Sequence, residues 1–240
     1  MKKYAYVTLT SNDLFVPGAV AAIKSIIMTG TKYPVYCMVS SDVSEENNGL
    51  LEAAGAAVLV VPKIHSTTSG EEGDRFEIGK NWLTFTKLNV FNLDQFDKIV
   101  YVDADCVVLQ NVDEMFDFPS PSGYLLAHTG ELEAGVLVLE PSKEVFDELM
   151  IYKDKENWVN HDQSLLNWYF REKTKNFNRL SNIYHFCHKL YHNDDPALIN
   201  KRKAKIIEFN GYKPWIPGRW KAGEDFYYKI WKYAYDYEKE

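Results

Sequence analysis

Lys98-Ile-Val-Tyr-Val-Asp103-Ala-Asp105-Cys-Val-Val-Leu109 is the stretch on which the fold turns. Four strand-forming residues run into two aspartates at i and i+2, and a second apolar run follows them. In extended chain that spacing sends both carboxylates to the same side. At the end of a buried parallel strand they converge on one point above the sheet. Two converging carboxylates repel unless something positive lies between them, and a hard divalent cation taking oxygen ligands answers that need. A bare Asp-x-Asp reads more simply as a helix cap beside a solvated side chain. The strand before the pair and the apolar run after it move the reading to a metal site.

Upstream of this stretch, strand and helix signals alternate. Tyr4 to Leu9 is β-branched and aromatic, and Ser11-Asn12-Asp13 breaks it. Pro17-Gly18 opens a helix in which Val20, Ile23 and Ile27 share a face, and Gly30 closes it. Val35 to Val39 is a second strand. Ser44-Glu45-Glu46 starts a helix carrying Leu50, Leu51 and Ala54, with Gly55 as its stop, and Ala57 to Val61 is a third strand. Residues 62–81 are polar and glycine-rich, a long loop of the functional or mobile kind. Leu83 to Leu93 reads as a helix. Downstream, Tyr124–Ala127 and Gly135–Leu139 read as strands, and Pro141–Tyr152 and Asp162–Phe170 as helices. The alternation implies a mostly parallel sheet flanked by helices, whose ligands sit at the carboxyl ends of the strands. The ends of interest follow Leu9 and Val102. No repeat, low-complexity run or linker divides the chain, so one domain spans residues 1–240.

Of 240 residues, 27 are Lys or Arg and 34 Asp or Glu, a formal charge of −7 that argues against a nucleic-acid binder. Hydrophobic residues make up 46%, enough for a sizeable core and too many for disorder. The apolar runs are too short for a transmembrane helix, and the N-terminus enters a strand without signal-peptide architecture. Cys37, Cys106 and Cys187 are odd in number and far apart, and read as reduced core thiols. The expectation is a soluble cytoplasmic protein, with a homodimer left open. His185, His188 and His192 would share a face on a helix, but no third ligand type converges with them, since Cys187 would point elsewhere. They read as surface or acceptor-groove residues. Phe226, Ile230, Tyr233 and Tyr237 form an aromatic face on a terminal helix.

Two enzyme classes use the Asp103/Asp105 arrangement. Aspartate-nucleophile phosphatases carry it on the first strand, followed by Gly-Thr or similar. Nucleotide-sugar-dependent glycosyltransferases use it to hold Mn²⁺ or Mg²⁺ against a diphosphate, which suits a mid-chain pair behind a nucleotide-binding half.

The neighbouring segments decide between them. Tyr6-Val-Thr-Leu-Thr-Ser-Asn-Asp13, Leu83-Thr-Phe-Thr-Lys-Leu88, Val102-Asp-Ala-Asp-Cys-Val-Val-Leu109, Gly135-Val-Leu-Val-Leu-Glu-Pro-Ser142, Asp162-Gln-Ser-Leu-Leu-Asn167 and Gly211-Tyr-Lys-Pro-Trp215 follow one another in order. Together they resemble glycosyltransferase family 8, the glycogenin-like retaining transferases of the GT-A fold. Residues 1–110 would then form a nucleotide-binding half, 111–215 an acceptor and catalytic half, and 216–240 an aromatic terminal helix. The resemblance implies that Leu9, Ser11, Asn12 and Phe15 line a uridine pocket. Asp103, with Ala104 beside it, would touch ribose and metal, and Asp105 would hold the metal. Lys87, Lys213, Gly211 and Arg75 would meet diphosphate or sugar oxygens. Asp162 and Gln163 would face the donor sugar near its anomeric carbon.

Two departures stand out. The family's usual His before the Lys-Pro-Trp segment is replaced by Glu208, a harder oxygen donor that would serve as third metal ligand and shift preference from Mn²⁺ towards Mg²⁺. The usual Asn on the sugar side becomes Glu133, which when ionised only accepts hydrogen bonds. The implied function is transfer of a hexose, glucose or galactose, from a UDP-sugar to a hydroxyl of a glycan, protein or small molecule. A non-catalytic nucleotide-sugar binder and a phosphatase are the alternatives.

Overall fold

The computed structural model describes residues 2–66, 81–126, 129–187, 203–211, 213–216 and 225–238. Its centre is a seven-stranded sheet in the order β3-β2-β1-β4-β7-β6-β8. The strands are β1 (Tyr4–Thr10), β2 (Val35–Val39), β3 (Ala57–Val60), β4 (Lys98–Val102), β6 (Ser122–Leu125), β7 (Leu132–Leu139) and β8 (Asn178–Arg179). The first four are mutually parallel, whereas β7 runs antiparallel to both β4 and β6. A second sheet has three strands, with β10 (Ile206–Glu208) between β5 (Cys106–Val108) and β9 (Phe186–Cys187).

Every residue of β4 and β7 is buried, as expected of strands covered on both faces. Alternation divides them between two cores. Val100, Val102, Val136 and Val138 pack with Ala19, Val20, Ile23 and Ile26 of α1 (Val16–Met28) on one face. Ile99, Tyr101, Leu137 and Leu139 pack with Phe85, Leu88, Phe91, Leu165 and Leu166 on the other. Pro17 lies in the first turn of α1, where its fixed φ and missing N–H cost nothing. Beyond the helix, Gly30 takes φ +73° and donates to the Ile27 carbonyl at 3.0 Å. The Ser44 side chain caps α2 (Glu45–Ala53) by accepting from the Asn47 N–H.

The expected helix at Leu83–Leu93 is instead wound as a 3₁₀ segment over Asn81–Asn92. Residues 85–91 are all buried, so this segment has no solvent face of the kind that a 3.6-residue stripe requires. Asn89 fixes it by donating to the carbonyls of Thr86 and Pro62. The strand expected at Gly135 begins three residues earlier, at Leu132, and the strand expected at Tyr124 begins at Ser122. The helix expected over Asp162–Phe170 is α4 (His161–Asn167), continued by a π turn over Trp168–Lys173. α3 spans Lys143–Tyr152, and the terminal helix α5 spans Asp225–Asp236.

α5 packs on α1, but not through the face expected. Trp231 and Ala234 are its buried residues, while Phe226 and Tyr233 remain exposed. No helix among the described residues is long and apolar enough to cross a membrane.

Candidate functional site

β4 ends at Val102, and the chain turns at once. The Cys106 N–H donates to the Asp103 carbonyl at 3.0 Å, so Asp103 and Asp105 meet across a tight turn between β4 and β5. The extended i, i+2 geometry expected from the sequence is therefore corrected, although the convergence it was meant to explain is present. Glu208, at the end of β10, lies in register with Cys106 of β5. Oxygen atoms of Asp103, Asp105 and Glu208 all lie within 4.8 Å of one another. Three carboxylates at this spacing make an all-oxygen donor set that fits a hard divalent cation.

Two lysines balance the carboxylates. Lys87, 8% exposed, places Nζ 3.0 Å from Asp103 Oδ2, 3.1 Å from Asp162 Oδ2 and 3.2 Å from the Ala134 carbonyl. Lys213 pairs with Asp105 and donates to the Phe209 carbonyl at 3.0 Å. Burial pushes the Asp103 carboxyl up, against the pull of Lys87, to about 6. Burial also raises Asp105, despite Lys213. Both lysines are held above their usual range, because the carboxylates outweigh their desolvation. A divalent cation would relieve the repulsion among the acids and free the lysines to meet phosphate oxygens.

His161 is held at φ +50°, a left-handed conformation that introduces α4 and sets Asp162 against Lys87. Asp162 is thus the partner of Lys87. Gln163 accepts from the Ala134 N–H at 3.4 Å and hydrogen-bonds Glu133. Burial and the nearby Glu208 raise the Glu133 carboxyl to about 7.

On the β1 side, Leu9, Ser11, Asn12 and Phe15 follow the strand end and are all partly exposed. The Asn12 Oδ1 and Thr8 Oγ1 atoms are buried without a hydrogen-bond partner. Phe15 meets Trp215 edge-on at 5.8 Å. Gly18 lies beneath them, where an added Cβ would come within 2.4 Å of the Trp215 ring and 2.6 Å of the Ala104 carbonyl. That glycine brings the start of α1, the Asp103–Asp105 turn and the Lys213–Trp215 segment into one place. Gly211 takes φ +86° at the exposed start of that segment. Arg75, His188 and His192 lie outside the described residues.

His185 is fully buried, which corrects its reading as a surface residue. Its Nε2 lies 2.6 Å from Glu208 Oε2. The Cys187 thiol, expected to point elsewhere, donates to the same Glu208 oxygen at 3.2 Å. Burial would raise Glu208, but the hydrogen bond and charge of His185 outweigh it and hold the carboxyl below its usual range. Gly135 makes room for this pair, since a Cβ there would lie 3.0 Å from His185 Nε2 and 3.2 Å from Glu208 Cδ. Sequence reasoning also missed Tyr101, whose hydroxyl donates to Asp103 Oδ1 at 2.5 Å. Tyr101 lies near the end of β4, two positions before Asp103.

The model of Glycosyl transferase family 8 matches residues 6–133. Inositol phosphorylceramide glucuronosyltransferase 1 of Arabidopsis thaliana is 31% identical over 89% of this chain and 42% of its own length. Glycogenin-1 of Caenorhabditis elegans is 31% identical over 88% of this chain and 50% of its own. The chain thus spans half or less of the length of these two curated relatives. Among solved structures, the galactosyltransferase LgtC, in complex with donor and acceptor sugar analogues, superimposes with a TM-score of 0.69. The match covers 95% of each chain at 16% identity, a likeness of fold.

Proposed function

The chain belongs to glycosyltransferase family 8, and from that premise we propose that it moves a hexose, glucose or galactose, from a UDP-sugar to a hydroxyl acceptor with retention of configuration. The observation that carries the proposal is the Asp103–Asp105–Glu208 donor set with Lys87 and Lys213 beside it. Held by these three carboxylates, Mn²⁺ or Mg²⁺ would supply Lewis-acid stabilisation of the departing diphosphate. The protein's own groups do the rest. Lys87 and Lys213 turn from their aspartates to the phosphate oxygens and hold the leaving group in place. Leu9, Ser11, Asn12 and Phe15 seat the uridine, and the unpartnered Asn12 Oδ1 supports that assignment. Gly211 lets backbone approach the diphosphate. Ala104 sits beside the ribose, and Arg75 is assigned to the phosphate side.

Gln163, with Asp162 and Glu133 beside it, faces the sugar and stabilises its positive charge as the glycosidic bond opens. The acceptor hydroxyl enters from the leaving-group face and gives its proton to the departing phosphate oxygen. Preorganised charge supplies the rate, without a side-chain nucleophile. Localisation in the cytoplasm is part of the same reading.

The test is a screen of UDP-, GDP- and TDP-sugar hydrolysis with Mn²⁺, Mg²⁺ or chelator. Metal-dependent release of UDP from UDP-glucose or UDP-galactose is the expected result. Phosphate release from a phosphomonoester without any nucleotide would instead indicate a phosphatase. A thermal shift with UDP and Mn²⁺ but no turnover would indicate a non-catalytic binder.

A further inference from the structure

Beside the carboxylate set lies a second group whose chemistry differs. Glu133 of β7, His185 just before β9, Cys187 within β9 and Glu208 of β10 are all buried, and one ligand atom from each lies within 4.8 Å of the others. His185 and Cys187 are 0% exposed. Two residues apart, they reach the same Glu208 oxygen. Cys187 is in register with Glu208 across the β9–β10 ladder. Glu133 arrives from the main sheet.

Nitrogen, sulfur and oxygen donors in one closed group are the set that zinc takes, and four protein ligands with no open position are the mark of a structural site. The neighbouring cations are engaged elsewhere, Lys87 with Asp103 and Asp162, and Lys213 with Asp105. Two buried carboxylates are therefore left with one imidazole between them.

We infer that Glu133, His185, Cys187 and Glu208 bind a structural Zn²⁺ that ties β7 of the main sheet to β9 and β10 of the small one. Zinc bonds of about 2.0–2.3 Å place tetrahedral ligand atoms roughly 3.5 Å apart. The group closes onto the ion by side-chain shifts, the 2.6 Å His185–Glu208 contact opening as it does so. The Cys187 thiol loses its proton on binding, and His185 ligates as the neutral imidazole. Glu208 has two oxygens and so links this site to the Asp103–Asp105 side. Gly135 is the residue that makes room, because a side chain there would press on both His185 and Glu208.

The inference shares Glu133 and Glu208 with the sugar-transfer reading, but it is tested without turnover. The full chain is stripped with chelator and reloaded with Co²⁺ alone, then with Zn²⁺. The expected result is one tightly held ion whose spectrum carries the thiolate-to-cobalt charge-transfer band and the intense visible bands of tetrahedral Co²⁺, lost on adding Zn²⁺. Cys187→Ser abolishes the charge-transfer band, Asp105→Asn keeps it, and Glu133→Gln weakens zinc binding at least about tenfold. Folded wild-type protein without the band would overturn the inference, as would a band that survives Cys187→Ser. Because the wild type alone can give the negative answer, a variant that fails to fold does not protect the proposal.

Discussion

Single residues carry more than their share where a buried polar group has one partner or no space. The Tyr6 hydroxyl, on a side chain 1% exposed, donates to Asp113 Oδ1 at 2.8 Å, and Asp113 also accepts from Thr31 and from the Lys32 backbone. Asp113→Ala leaves that hydroxyl without its acceptor, so urea unfolding should show a loss of about 1–3 kcal/mol. Burial pushes the Asp113 carboxyl up, but its hydrogen bonds outweigh that and hold it below the usual carboxylate range. A depressed folded-state pKa contributes stability above the unfolded value, about 3.9 for Asp. That contribution is lost as pH falls through the depressed value. The gap in stability between wild type and Asp113→Asn should therefore narrow as pH is lowered below about 4. Gly135→Ala tests space instead of charge. Crowding His185 and Glu208 should cost about 1–3 kcal/mol on overpacking alone, and a fully neutral substitution would show that the pair moves aside freely.

At the scale of elements, the strands of the parallel sheet were readable because each is a short apolar run closed by turn residues, and β4 is the clearest. Leu83–Leu93 reads as a helix in the sequence, but nothing local distinguishes α from 3₁₀ winding in a segment whose residues 85–91 are all buried. Its conformation is set by packing between the sheet and α4. The Asp103–Asp105 turn was hidden for a related reason. Its geometry depends on Phe209, whose N–H donates to the Asp105 carbonyl from more than a hundred residues away. The Cys187 and Glu208 convergence rests on strand pairing between β9 and β10, which no local pattern encodes. α5 shows the same limit, since its aromatic positions surround the helix and the sequence offered no ground for choosing Trp231 as the buried side. Lys24 of α1 donates to the Tyr235 carbonyl at 2.8 Å, and Trp231 and Ala234 pack with Ala21, Val107 and Ile207, so this helix is held by both polar and apolar contacts. Trp231→Ala should cost about 3–5 kcal/mol of stability, the range for emptying a buried tryptophan site. Loss of less than 1 kcal/mol would mean that α5 docks loosely.

Across the whole molecule, a formal charge of −7 sets a problem for any diphosphate ligand, because the protein as a whole repels it. Three of the acids are gathered where their charge can be reversed. Asp103, Asp105 and Glu208 lie in one group, with Lys87 and Lys213 as the only partners of the two aspartates that carry positive charge among the described residues. Divalent cation and nucleotide should therefore bind together more tightly than either alone. Thermal unfolding should rise with UDP plus Mn²⁺, by the equivalent of about 2.7 kcal/mol at a hundredfold excess over the dissociation constant, and far less with UDP and chelator. The most direct test of the account is UDP release from UDP-glucose and UDP-galactose with Mn²⁺ or Mg²⁺, compared between wild type and Asp105→Asn at equal folded concentration. Metal-dependent release by the wild type that falls on the order of a hundredfold or more in the variant is the predicted result. Turnover by Asp105→Asn at the wild-type rate, or wild-type turnover indifferent to chelator, would contradict it.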